Sequence, residues 1–155
     1  MEFNIPHGMQ VEHEELHANL EKAIASGGET GAAAREVAEA LHSHFESEEK
    51  YALPPLGLLP ALAGGRINSE MTQVLEMTDT LKAELPRMLE EHKAIVSALQ
   101  NLIKAASQEK KTEHIHFAEQ LMLHAQNEEE VSYPTAILIG EYVRLKLGVH
   151  GLEQA

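Results

Sequence analysis

The chain has no cysteine, which excludes disulfide staples and thiolate metal sites. It is also short of positive charge. Twelve Lys and Arg stand against 25 Asp and Glu, a formal charge of −13. A surface of that sign repels phosphate backbones and anionic lipid, so nucleic acid and membrane partners are set aside. Long apolar runs are missing as well: the stretch from Leu53 to Ala63 is broken by three prolines, well short of the roughly 20 uninterrupted residues that a membrane span needs. Glu2 and Pro6 come early and do not read as a secretory leader, so the expectation is a soluble cytoplasmic protein. Nor does any segment alternate apolar and polar residues for long enough to suggest a strand. What is present is a chain of 155 residues, read as one domain over 1–155 with a core of its own, and ten histidines. The histidines are the one compositional feature that points to chemistry.

Apolar residues recur at 3,4 spacing over most of the length, and the spacing predicts four helices. The first runs from about Met9 to Ser26 and stops at Gly27 and Gly28. The second starts behind Thr30 as N-cap and ends at Leu53, before Pro54 and Pro55. Ser69 reads as the next cap, and a long third helix, kinked at Pro86, runs to about Ser107. Thr112 caps a fourth, whose core series Phe117, Leu121, His124, Glu128, Val131, Thr135, Leu138, Tyr142, Leu145 passes Pro134 in one phase. Four helices joined mostly by short turns predict an all-α, up-down-up-down four-helix bundle.

The sequence also repeats. HFESEEKYALP at 44–54 returns as HAQNEEEVSYP at 124–134, and an offset of 79 or 80 pairs His13 with His92, His44 with His124, Glu48 with Glu128 and Pro54 with Pro134. Chance supplies those four matches with a probability on the order of 10⁻⁵ before free choice of offset. The bundle is therefore read as two pseudo-repeated helical hairpins closed on each other.

Helical phase then says what the polar residues are for. His13 falls in the series Met9, His13, Leu16, Leu20, Ala23; His44 and Glu48 fall in Val37, Leu41, His44, Glu48, Tyr51; and His92 falls in Leu81, Leu85, Met88, His92, Ile95, Leu99, Leu102. With His124 and Glu128, six ionisable groups occupy positions expected to hold Leu or Ile. Unpaired, each would cost several kcal/mol. A metal centre is the natural compensation, since a His and a Glu four residues on share one helix face and a carboxylate has two oxygens with which to reach a second ion. One His on an apolar face is more often a hydrogen-bonded core residue than a ligand, whereas four in phase with two matching glutamates favour metal.

The remaining groups are weaker. Glu46, Glu49, Glu129 and Glu130 lie off the core phase and read as a solvated face. His17 reads as a rim residue or a further ligand; His42 and His116 point outward. His114 is in phase but at the first turn of the fourth helix, where a solvated side chain is expected, and His7 and His150 are assigned no role. The ExxH pairs Glu14/His17, Glu39/His42 and Glu113/His116, which a ferritin-like carboxylate site would use, never have both members on the core line. Imidazole with carboxylate suits iron, zinc or manganese. The connector PPLGLLPALAGG admits two readings: an apolar cap over the metals, or a loop that fills a gap in the core.

A His on helix one, HxxxE on helix two, a His on helix three and HxxxE on helix four together resemble the hemerythrin-like, or HHE cation-binding, domain family. The matching stretches are HEEL from His13, HFESE from His44, HKAI from His92 and HAQNE from His124. The resemblance implies an up-down-up-down bundle holding two non-haem iron ions with a bridging oxo or hydroxo group. It makes His13, His44, His92 and His124 terminal ligands and Glu48 and Glu128 bridging carboxylates. This chain departs from the oxygen-carrying members at Met88, where those have a second His, and at Glu128, which follows its His by four residues instead of five. Counting coordination positions leaves about two for exogenous ligands. Three functions fit: binding or sensing of oxygen, nitric oxide or a related small diatomic ligand; a redox enzyme acting on peroxide or oxygen; or a cation-binding protein without redox chemistry.

Overall fold

A computed structural model describes residues 1–148, and all regular structure among them is helical. Helices α1 (His7–Ala25), α2 (Gly28–Ser47), α3 (Leu59–Ala63), α4 (Val74–Gln108), α5 (Thr112–Asn127) and α6 (Tyr133–Leu147) follow in order. Two π turns, Glu48–Ala52 and Glu128–Ser132, prolong α2 and join α5 to α6. Four long helical segments result, and their contacts form a ring: α1 against α2 and α5, α2 against α4, and α4 against α5 and α6. Among the described residues no helix is long and apolar enough to cross a membrane.

The three expected caps fall elsewhere. Helix α2 begins at Gly28, so Thr30 lies buried inside its first turn. There its amide donates to Glu109 at 2.9 Å and its hydroxyl donates to the same carboxylate, which also accepts from the Glu29 amide at 3.2 Å. A carboxylate from the α4–α5 turn thus satisfies amides that a local hydroxyl was expected to serve, and its charge suits a helix N-terminus. Lys111 does the reverse for α1, donating to the Ser26 and Gly27 carbonyls at 2.9 and 3.2 Å. Asn68, not Ser69, caps the next turn by accepting from the Glu70 amide at 3.0 Å, and Thr112 is the first residue of α5, not its cap. The glycine break between α1 and α2 is required: Gly27 and Gly28 have φ of 71° and 62°, and a Cβ on Gly28 would strike the Glu109 carboxylate.

The fourth segment corrects the expected register. In an α-helix the amide of residue 134 would bond the Glu130 carbonyl, but Pro134 has no N–H and its ring would collide with that carbonyl. The chain instead widens by one residue. The Tyr133 amide bonds the Glu128 carbonyl, and the Leu53 amide before Pro54 bonds the Glu48 carbonyl in the same i→i+5 pattern. The inserted residue rotates everything beyond it, so Val131, Leu138 and Leu145 are 59, 66 and 80 % exposed, while Tyr133, Ala136, Ile139 and Val143 are buried. Pro86, by contrast, lies within α4 on an exposed face and α4 continues through it.

Two apolar clusters result. One, around Leu20, Val37, Leu41, Leu99 and Leu121, fills the end near the α1–α2 turn. The other gathers Leu53, Met71, Leu81, Met88, Tyr133 and Ile139 at the opposite end. Leu56 and Leu58 of the connector join this second cluster, and the amino-terminal Phe3 and Ile5 pack on it. The connector is therefore core filling, with α3 itself carrying no buried residue.

Candidate metal centre

Between the two clusters lie six polar side chains. His13, His44, Glu48, His92 and Glu128 are at most 5 % exposed, and the His124 side chain is 13 % exposed. Each arrives by the helical phase of its own segment: His13 from α1, His44 from α2, His92 from α4, His124 from α5. Glu48 and Glu128 are the first residues of the two π turns. All six sequence-predicted residues come together. They form two groups, His13/Glu48/His124/Glu128 and His44/Glu48/His92/Glu128, each with ligand atoms within 4.8 Å of one another. Both carboxylates belong to both groups.

The distances follow that division. His44 Nε2 stands 2.7 Å from Glu48 Oε1 and 2.8 Å from His92 Nε2, and His92 Nε2 is 3.4 Å from Glu128 Oε1. On the other side, His124 Nε2 is 3.1 Å from Glu128 Oε2, and His13 Nε2 is 3.8 Å from one oxygen of each glutamate. His13 Nε2, His124 Nε2, both Glu48 oxygens and Glu128 Oε2 are buried without a hydrogen bond. Orphaned donor atoms of this kind, all aimed at one small volume, are what a cation satisfies. The donor set fits a metal site.

Electrostatics agree with the crowding. Burial, reinforced by the neighbouring Glu128 charge, pushes the Glu48 carboxyl well above its usual range. Burial would do the same to Glu128, but the close approach of Glu48 and of the His124, His13 and His92 rings together holds it well below. The two carboxylates therefore titrate as a coupled pair, one displaced up and the other down. Burial also lowers the basicity of His44 despite its bond to Glu91, favouring the neutral imidazole that ligates.

A second layer orients the rings. Glu91 Oε1 lies 3.0 Å from His44 Nδ1 and Glu129 Oε1 lies 3.0 Å from His92 Nδ1, while Glu12 accepts from His124 Nδ1. A carboxylate on the far nitrogen fixes the tautomer and turns Nε2 towards the centre. Glu91 is in turn held by Arg87 at 2.8 Å, whose other nitrogen reaches the Tyr51 hydroxyl at 2.8 Å. Sequence reasoning missed Glu12 and Glu91, and it read Glu129 as merely solvated; the structure corrects that. A signal existed: Glu12-His13 and Glu91-His92 repeat at the same offset of 79.

Tyr133 was also missed. Its side chain is fully buried, with Oη 3.2 Å from His44 Nε2, 3.1 Å from His92 Nε2 and 3.5 Å from Glu128 Oε1. The π turn puts it there, since an uninterrupted α-helix would present Val131 and Thr135 instead. Burial raises its phenol far above the ordinary value, so it remains a neutral O–H donor.

Of the other histidines, His17 is exposed with its ring 4.8 Å from Phe45, and His7, His42 and His116 are exposed. His17, His42 and His116, the histidines of the ExxH pairs, therefore stand outside the cluster. His114 is buried, not solvated; it lies in the first turn of α5, away from the cluster. His150 lies outside the described residues. No family model, no curated protein and no solved structure matches the chain.

Proposed function

We propose that the chain is a hemerythrin-like protein: an up-down-up-down four-helix bundle of two pseudo-repeated hairpins that holds two non-haem irons and binds or senses oxygen, nitric oxide or a related small ligand. The observation that carries this reading is the pair of four-residue groups sharing Glu48 and Glu128. Two ions bridged by two carboxylates need that topology, and a single-ion site does not. The ring of helix contacts and the 79–80 residue repeat support the bundle. His13, His44, His92 and His124 would be terminal ligands, and Glu48 and Glu128 the bridges. Bound there, two irons supply electron exchange and open positions for a small ligand.

The protein's own part is to orient the imidazoles through carboxylates on the far nitrogens of His44, His92 and His124, to flank the site with an apolar cluster on either side, and to offer a hydrogen bond from Tyr133. That phenol is one observation in favour of a redox enzyme acting on peroxide, because it places a proton donor 3.1 Å from His92 Nε2.

The optical spectrum tests the reading. Purified protein with iron should be coloured in the ferric state, with bands that shift when azide is added. A colourless protein that retains zinc after exposure to iron would support the non-redox cation-binding alternative.

A further inference from the structure

We infer that the outer face of α6 is where a second copy of this chain docks: two copies pair side by side along Leu138, Tyr142 and Leu145, in parallel, with Glu141 of each meeting the partner's Lys146.

The outer faces of the long helices are not alike. That of α2 presents Glu29, Arg35, Glu36, Glu39, His42 and Glu46 to solvent, as a bundle surface in water should. That of α6 presents Pro134, Leu138, Tyr142 and Leu145, at spacings of four, four and three residues that keep them in one line. Val131, seven residues before Leu138, is exposed at the head of the same segment. Four of the eight large apolar side chains exposed among the described residues therefore lie between Val131 and Leu145, and a contiguous patch of that kind marks an interaction site. The fold has no use for it. Ala136, Ile139, Gly140 and Val143 form the buried face of α6, which packs on α4 and on the turns at 54–58 and 69–73.

Charge selects the occupant. The chain carries −13, so two copies repel wherever their acidic faces meet. Between 131 and 148 the balance is reversed, with Glu141 the one acid against Arg144 and Lys146. Arg144 bonds Asp79 of α4 at 2.6 Å, and Glu141 and Lys146 flank the apolar line. With Leu138 and Leu145 at heptad position d and Tyr142 at a, Glu141 takes position g and Lys146 the e position five residues on. Those two positions face each other across a parallel helix pair, and a two-fold axis between the copies makes the contact twice. An antiparallel pair sets g against g; the g positions are Pro134, Glu141 and Gly148, so Glu141 would meet no cation. Neither side chain is committed elsewhere. Glu141 has an exposed Lys82 at 3.6 Å, a surface pair of the kind that contributes little, and Lys146 Nζ stands 5.8 Å from the Tyr142 ring, already beside the seam.

The seam is short, so the dimer should be in reversible equilibrium with monomer. Sedimentation equilibrium of the full chain over roughly a hundredfold range of concentration should show the mass rise from 17.1 kDa towards twice that value. Leu138→Glu should stay monomeric throughout while keeping the circular dichroism of the parent, because the side chain it replaces is exposed. Glu141→Lys and Lys146→Glu should each weaken dimerisation about tenfold or more by setting like charges opposite, and mixing the two variants should restore it, since the mixed pair has opposite charges at both contacts. A dimer that Leu138→Glu leaves intact overturns the proposal. Charge variants that dimerise as the parent does, or a mixture no better than its parts, overturn the parallel pairing. A parent that stays monomeric over the whole range overturns the second copy as occupant, and its co-sedimentation with phosphatidylserine vesicles would replace that occupant with a lipid surface.

Discussion

Glu48 and Glu49 are neighbours in sequence and opposites in environment, one fully buried between four histidines and the other exposed. Helical phase separates them, and the same phase separates Glu128 from Glu129. Glu48→Ala and Glu128→Ala should each abolish paired metal binding in a zinc or iron titration, whereas Glu49→Ala should titrate as the parent does. Glu129→Ala should keep the stoichiometry but bind about 10- to 100-fold more weakly, because His92 loses its orienting carboxylate. The six central residues were legible because each needs only the 3.6-residue period of its own helix. Glu12, Glu91, Glu129 and Tyr133 were not, because each acts on a ring from another segment, and the facing of two helices is a tertiary fact that no single period encodes.

At the scale of the element, periodicity held as far as each helix remained an α-helix. It failed beyond Glu128, where Pro134 converts one turn to π and rotates α6; the sequence showed the proline but not which way the backbone would accommodate it. The rotation brings Gly140 against α4, where a Cβ would stand 2.1 Å from Thr78 Oγ1. Gly140→Ala should therefore force α4 and α6 apart and cost about 1–3 kcal/mol in denaturant unfolding.

The α1–α2 turn makes a separate prediction about acid. The Thr30 hydroxyl and amide hold the Glu109 carboxyl down from its ordinary 4.5 to about 2. A depressed folded-state value stabilises above the unfolded one, so this contribution is present at neutral pH and is lost as pH falls from about 4.5 towards 2. Glu109→Gln should be less stable than the parent at pH 6, and the difference should shrink through that window; a constant difference would show that Glu109 acts by shape alone.

For the whole molecule, the polar layer sits between two apolar clusters, so the stability of the fold and the filling of the site are one problem. Without a cation the layer holds orphaned donors and a pair of crowded carboxylates. A ligand present at about a thousand times its Kd adds about 4 kcal/mol, and in a domain of this size that is on the order of 10 °C in melting temperature. Metal-loaded and chelator-treated protein should differ by about that much in a thermal melt followed by circular dichroism.

The claim on which all of this depends is that six side chains from four helical segments hold two ions between shared carboxylates. Inductively coupled plasma mass spectrometry on purified protein, beside Glu128→Ala prepared in the same way, tests it directly. The account predicts two metal ions, iron foremost, per parent chain and at most one in the variant; a parent chain with none, or two proteins with the same content, would contradict it.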